Sequence, residues 1–281
     1  MLRVAVPNKG ALALAAVEML REAGYRQRAD DKDLACLDAG NDVEFFYLRP
    51  RDIATYVASG ELDLGVTGRD LLVDSAVAAD EVLDLDFGRS AFRFAAAPGR
   101  FALATDLAGA RIATSYPGVV AGFLAAHSIQ AEVIRLDGAV ENAVSLGLAD
   151  VIGDVVDTGG TLRKAGLEPV GDVVLRSTAV LIRASGAPGN GAVDQVVRRL
   201  QGVLVARRYV MLAYDCRVDR LDEAVALTPG IESPTISPLH REGWVAVQAM
   251  VLRTEVHKIM DELYDVGARA ILVTDIHACR L

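Results

Sequence analysis

The stretch ADVIGDVVDTGGT, Ala149 to Thr161, runs from an apolar segment through the acids Asp154 and Asp157 into two glycines flanked by hydroxyls. An apolar run this short, closed by turn residues, reads as a buried strand, and Thr158, Gly159, Gly160 and Thr161 read as the turn that opens a helix. Ordinary turn chemistry accounts for such a loop. Amides freed by paired glycines at a helix start, with hydroxyls beside them, also make a cup for a phosphate. Either way the stretch is a strand–loop–helix step, and the segments around it repeat that step.

Working outward, LRVAV (2–6) reads as a strand, PNKG (7–10) as its loop, and ALALAAVEMLREAG (11–24) as a helix capped by Gly24. VEFFYL (43–48) is a strand and RPRDIATYVASG (49–60) an amphipathic helix ending at Gly60; LDLGVTG (62–68) is a strand whose tail leaves Arg69 and Asp70 exposed. A second series starts near Ala91: FRFAAAP (92–98), a helix around DLAG (106–109), RIATS (111–115), and Tyr116, Pro117 and Gly118 ahead of another helix. AVLIRAS (179–185) resumes a strand, followed by the turn SGAPGNG (185–191) and a helix over 192–208. This alternation predicts βαβ units and mostly parallel sheets, arranged as two α/β lobes with more than one crossing. Lobe I is expected over 1–90 and 180–208, lobe II over 91–179. From Tyr209 the rhythm changes to strand (209–215), helix (218–227), strand (233–239), strand (244–251), helix (254–267) and strand (268–278). That βαββαβ order predicts a ferredoxin-like third domain over 209–281.

Composition narrows the partners. The 281 residues are 52% hydrophobic and carry a net charge of −9, enough apolar chain for two or three domains. The acidic balance, with no basic run, argues against nucleic acid or an anionic membrane as partner, so an anionic ligand needs locally placed cations. Cys36, Cys216 and Cys279 are scattered, which argues against a disulfide framework and for a reducing compartment. His127, His240, His257 and His277 lack metal-ligand spacing. MLRVAVPNKG has no signal-peptide core and no apolar run reaches membrane length, so a cytoplasmic protein is expected.

From Glu141, ENAVSLGLADVIGDVVDTGGTL resembles the signature of the ATP phosphoribosyltransferases of histidine biosynthesis. The signature's demands are met at Glu141, Gly147, Ala149, Ile152, Asp154, Thr158, Gly159, Thr161 and Leu162. VPNKG, LRPRDIATYVASGELDLGVTGRDLL (48–72) and TPGIESPTISPL (228–239) resemble the long, self-regulated form. The resemblance implies a two-lobed, periplasmic-binding-protein-like catalytic core with a ferredoxin-like C-terminal domain. It implies transfer of phosphoribosyl from phosphoribosyl pyrophosphate to N1 of ATP, releasing pyrophosphate with Mg²⁺, in a homo-oligomer between dimer and hexamer. Metal ligands are not assigned.

The residues suit that chemistry. A donor with a 5′-phosphate and ribose hydroxyls needs amides and a carboxylate, and Asp154, Asp157, Thr158, Gly159, Gly160 and Thr161 supply both. Asp154 is expected to favour positive charge growing on the ribose, with Glu141 as a second candidate. Adenine N1 is itself an unprotonated nucleophile, so no Ser, Cys or His nucleophile is required and catalysis rests on orientation and electrostatics. Lys9 and Arg49, each after a strand, are candidates for the triphosphate, and Ser90 for a phosphate at the lobe crossing. The resemblance adds Asp70 and Leu71 near the adenine and Tyr116 as a stacking surface. In the tail, Asp215 and the segment Ser233 to Thr235 offer an acceptor and donors for a free amino acid. The resemblance makes that amino acid the inhibitor histidine, held by Asp215, Ile231, Ser233, Thr235 and Ala270. Two other readings stay open: a solute-binding module, which predicts an export signal, and a different phosphoribosyltransferase, which predicts paired acids where Asp154 is followed by Val155.

Overall fold

The computed structural model of the chain describes residues 1–156 and 160–280. Residues 1–21 and 25–194 form one compact unit, and residues 22–24 with 195–281 form another. The helix expected in lobe I over 192–208 therefore groups with the tail from Gln195 onward.

The larger unit has two sheets. Its first lobe runs β1 (Leu2–Pro7), α1 (Ala11–Glu22), β2 (Ala35–Asp38), β3 (Val43–Leu48), α2 (Pro50–Ala58), β4 (Leu64–Gly68), α3 (Arg69–Ser75) and β5 (Ala79–Asp84). Val4, Ala5 and Val6 of β1 are fully buried, as expected of a strand covered on both faces. Pro50 opens α2, where its missing N–H costs nothing, and α1 and α2 stop just ahead of Gly24 and Gly60, both left-handed. The second lobe runs β6 (Ser90–Ala96), a 3₁₀ turn (Ala104–Leu107), β7 (Arg111–Thr114), α4 (Pro117–Ala126), β8 (Glu132–Arg135), α5 (Asn142–Ser145), β9 (Val151–Val156), α6 (Gly160–Lys164) and β10 (Glu168–Ser177). The chain then returns to the first lobe as β11 (Ala179–Ala184) and continues into α7 (Gly191–Arg208).

Strand order is β2-β3-β1-β4-β11-β5 in the first lobe and β10-β6-β9-β7-β8 in the second. This is the expected two-lobed α/β core, but its sheets are mixed. β1 pairs in parallel with β3 and β4, and β7 with β8 and β9; the pairs β2–β3, β4–β11, β11–β5, β6–β9 and β6–β10 are antiparallel. The expectation of mostly parallel sheets fails at the crossings and at the β2–β3 edge. Strands β5, β6, β10 and β11 enter or leave a lobe directly, without the helical crossover that enforces parallel pairing. The two crossings lie together: Thr178 Oγ1 donates to Phe87 O at 2.9 Å, Ala179 N to the same carbonyl at 2.8 Å, and Leu85 N to Ala179 O at 2.9 Å. The helix expected around DLAG is a single 3₁₀ turn, because left-handed Gly109 and β7 follow at once.

The tail follows the expected βαββαβ order: β12 (Tyr209–Arg217), α8 (Leu221–Leu227), β13 (Thr235–Pro238), β14 (Trp244–Leu252), α9 (Val256–Asp265) and β15 (Arg269–Asp275). The sheet order β13-β14-β12-β15, antiparallel throughout, is that of two interleaved βαβ units. Alternate residues Val210, Leu212, Tyr214 and Cys216 of β12 pack with Val245, Val247 and Val251 of β14 and with Ala224, Val256 and Leu263 of the helices. Buried Tyr214 keeps its hydroxyl satisfied by a 2.8 Å hydrogen bond shared with Thr228. Among the described residues no helix is long and apolar enough to cross a membrane.

Candidate active site

The first lobe's contribution begins where β4 turns into α3. Asp70, expected to be exposed, is only 8% exposed, because α3 starts immediately after Gly68 and tucks the side chain against β10. The Asp70 amide donates to Ser177 Oγ at 3.0 Å, and that hydroxyl donates to Asp70 Oδ1 at 2.7 Å. Arg69 is likewise engaged, by Glu81 and Asp84. Ser177 faces Ser90 across the β10–β6 pair, so Ser90 stands half-buried at the crossing beside the Asp70 anchor. Leu71 follows on α3, also half-buried.

From the second lobe comes Tyr116, at the N-cap position of α4, its amide donating to Thr114 Oγ1 at 2.8 Å. The ring meets Phe92 edge-on at 5.7 Å, and the Arg51 guanidinium lies over it at 5.0 Å. The Asp70 carboxylate of the first lobe lies near enough to act on the Tyr116 hydroxyl. Burial foremost, then the negative charges of Asp70 and Asp154, push the phenol well above its ordinary value.

Asp154 lies near the end of β9, opposite Arg93 in the β6–β9 register. Burial pushes its carboxyl above the ordinary value; the Val155 amide, donating at 2.7 Å, works against this, and the like charges of Glu141 and Asp70 add to it. Glu141, half-buried at the start of α5, thus acts on the same pocket of charge. A carboxylate kept among other carboxylates, away from water, is under-stabilised as an anion until positive charge arrives. Asp70, Tyr116, Asp154 and Glu141 are therefore brought together at the carboxyl ends of β4, β7 and β9, where ligands of open α/β sheets collect.

Lys9 and Arg49 follow the adjacent parallel strands β1 and β3, and both are exposed. Between them Asn8 N donates to Leu48 O at 2.8 Å, while Asn8 Oδ1 is buried without a hydrogen-bond partner among the described residues. Sequence reasoning missed Asn8, Arg51, Arg93 and Ser177. Only the PNKG motif signals Asn8; the other three acquire meaning through contacts far along the chain. Of the expected phosphate cup, Asp157, Thr158 and Gly159 lie outside the described residues, and Gly160 and Thr161 open α6. Among the described residues, no three His, Cys, Asp or Glu side chains converge as a metal site.

In the tail, Asp215 lies on the face of β12 opposite buried Tyr214, in register with Ala246. Thr235 pairs with Gln248 and so shares that open face. Asp215 is also the partner of Arg269, one residue out of step with the rest of the β12–β15 ladder. The irregularity falls at Ala270, whose φ of 49° is left-handed, so a bulge re-aims the backbone beside Asp215. Ile231 and Ser233 are exposed on the loop before β13.

Residues 49–202 match the family model described as ATP phosphoribosyltransferase, and residues 206–278 match that described as HisG, C-terminal domain. Over the whole of both chains the sequence is 66% identical to the ATP phosphoribosyltransferase of Salinispora tropica and 61% identical to that of Streptomyces coelicolor. A similar solved structure is the ATP phosphoribosyl transferase (HisG:HisZ) complex from Thermotoga maritima. Its TM-score is 0.63 at 26% identity, over 73% of this chain and 98% of that chain.

Proposed function

This chain belongs to the ATP phosphoribosyltransferase family of histidine biosynthesis, and on that premise we propose that it transfers phosphoribosyl from phosphoribosyl pyrophosphate to N1 of ATP. The products are phosphoribosyl-ATP and pyrophosphate; the reaction is the first step of the route, takes place in the cytoplasm, and is inhibited by histidine. The observation that supports the reading is the placing of Asp154 near the carboxyl end of β9, Tyr116 at the start of α4 and Asp70, anchored on Ser177, at the carboxyl end of β4.

In this reading Asp154 interacts more strongly with the cationic ribose of the transition state than with the uncharged ribose ring of the bound donor, which is what accelerates the bond change. Glu141 adds negative potential at the same place. The loop of Asp157, Thr158, Gly159, Gly160 and Thr161 holds the 5′-phosphate. Tyr116 offers its ring to the adenine, with Asp70 and Leu71 at the purine's edge, while Lys9, Arg49 and Ser90 serve the phosphates. Mg²⁺, when bound, supplies charge neutralisation to the departing pyrophosphate. Asp154, Asp70 and Glu141 are hard oxygen donors that suit it, but they do not form a three-ligand cage, so most of its ligands would be substrate oxygens and water.

The tail reading is supported by Asp215, Thr235 and the Ala270 bulge on one open sheet face. An ammonium group suits Asp215 and a carboxylate suits the loop of Ile231 and Ser233. Pairing of two such faces in a homo-oligomer, from dimer to hexamer, would complete the site. Incubation with ATP, phosphoribosyl pyrophosphate and Mg²⁺ should produce the ultraviolet absorbance of the adduct; a chain that binds both substrates without producing it is not this enzyme. Millimolar histidine should suppress that signal, and Asp215→Ala should relieve the suppression at unchanged uninhibited rate.

A further inference from the structure

α4 is a helix whose N-terminus lacks a cap of its own. The N-cap position is held by Tyr116, which makes no side-chain cap hydrogen bond, and Pro117 follows. Helix starts ordinarily use Ser, Thr, Asp or Asn there to satisfy the second and third amides. Here those amides are met from the other lobe: Asp74, at the far end of α3, accepts from Gly118 N at 2.8 Å and Val119 N at 3.4 Å through Oδ1. Its other oxygen pairs with the Arg51 guanidinium. The Asp74 side chain is 6% exposed. Arg51 in turn donates to Ser115 O at 2.8 Å and covers the Tyr116 ring. The approach is close enough to demand glycine at Gly118, since a Cβ there would stand 2.1 Å from the Asp74 carbonyl oxygen.

We propose that Arg51, Asp74 and Gly118 form an interlobe clasp that positions Tyr116 for the nucleotide substrate, Arg51 and Asp74 being positioning residues that act through the ring. The clasp deepens the reading of Tyr116 as the adenine surface and rests on it. It explains why a residue unsuited to capping occupies the cap position: Asp74 supplies the cap in trans and leaves the Tyr116 side chain free to face the cleft. It also fixes one face of the ring beneath the Arg51 guanidinium, while Phe92 meets the ring edge-on.

Two measurements test the clasp, one of which does not involve catalysis. In the unliganded full-length protein, Asp74→Ala should speed amide exchange of the peptide over 117–120 by tenfold or more. In steady-state kinetics the same variant should raise KM for ATP about tenfold while KM for phosphoribosyl pyrophosphate stays within twofold. Gly118→Ala, which leaves every charge in place but wedges α3 from α4, should reproduce both effects and serves if Asp74→Ala does not fold. Asp74→Asn keeps an acceptor for Gly118 N and should restore exchange protection. In a double-mutant cycle with Tyr116→Ala, the ATP effects should be less than additive. Unchanged exchange overturns the clasp itself. Faster exchange with equal changes in both KM values, or with additive effects in the cycle, leaves a structural contact and overturns the positioning role. If Tyr116→Ala alone leaves KM for ATP unmoved, the reading of Tyr116 fails and the positioning role with it, whatever the exchange data say of the contact.

Discussion

Asp150 stands just ahead of β9 and Asp154 four residues on, in its carboxyl half, and their surroundings push them in opposite directions. Asp150, just ahead of β9, accepts from the Arg111 amide at 3.0 Å, from Arg111 Nε at 3.1 Å and from Arg100 Nη2 at 2.7 Å. The Arg111 side chain foremost, then its amide, hold that carboxyl far below the ordinary range. Asp154, at the other end, is met by burial and by the charges of Glu141 and Asp70, and moves upward. The strand's amino end thus carries an acid whose charge is satisfied within the protein. Its carboxyl end carries one whose charge awaits something from outside. Residue type did not distinguish them; the company each keeps does.

The widest separation between the two should appear in turnover. Asp154→Asn is expected to lower kcat by ~100-fold or more, the order seen when one preorganised charge-stabilising group is removed, without lowering the urea midpoint. A kcat within twofold of the parent would erase the distinction. A finer test concerns pH. Because Glu141 raises the Asp154 carboxyl, Glu141→Gln should lower it and move the acid limb of the kcat profile to lower pH. A limb that stays put or moves upward would show that the like charges do not act on the reacting group. The smallest effect belongs to Asp150. Asp150→Asn should cost about 1 kcal/mol of stability at neutral pH, as suits a half-screened ion pair, with kcat unchanged. Since the native carboxyl is depressed, this contribution is complete above the ordinary carboxylate value of 3.8 and fades as pH falls toward the native one. Urea midpoints at pH 7 and pH 3 should therefore differ less between variant and parent at the lower pH.

Where the chain's signals are local, the sequence was readable. Pro50 and Gly60 bound α2, the apolar core of β1 marks a strand covered on both faces, and the six tail elements follow from their alternation. Where an element is made by distant partners, it was not. α3 was missed because Arg69 and Asp70 look like a solvated loop, and only Ser177, 107 residues away, makes Asp70 a buried group. The antiparallel pairings of β6 and β11 depend on which way the chain enters a lobe, which no periodicity records. Among site residues, Asp154 announces itself by its place in a motif, and Tyr116 enters through the family resemblance. Arg51 and Asp74 carry no such mark, because their meaning lies in a helix start on the opposite lobe.

The laced crossings at Phe87 and Thr178 have a mechanical consequence. Two chain segments bonded side by side resist sliding along their length more than bending across their width, so the paired crossings have the form of a hinge pin, with the Arg51–Asp74 clasp tying the lobes at a second place. Ser177 is the residue next to that pin, and its hydroxyl grips Asp70. In any opening of the lobes about that axis, a group so close to it would travel on a very short lever arm, which makes Asp70 the fixed jaw of the cleft.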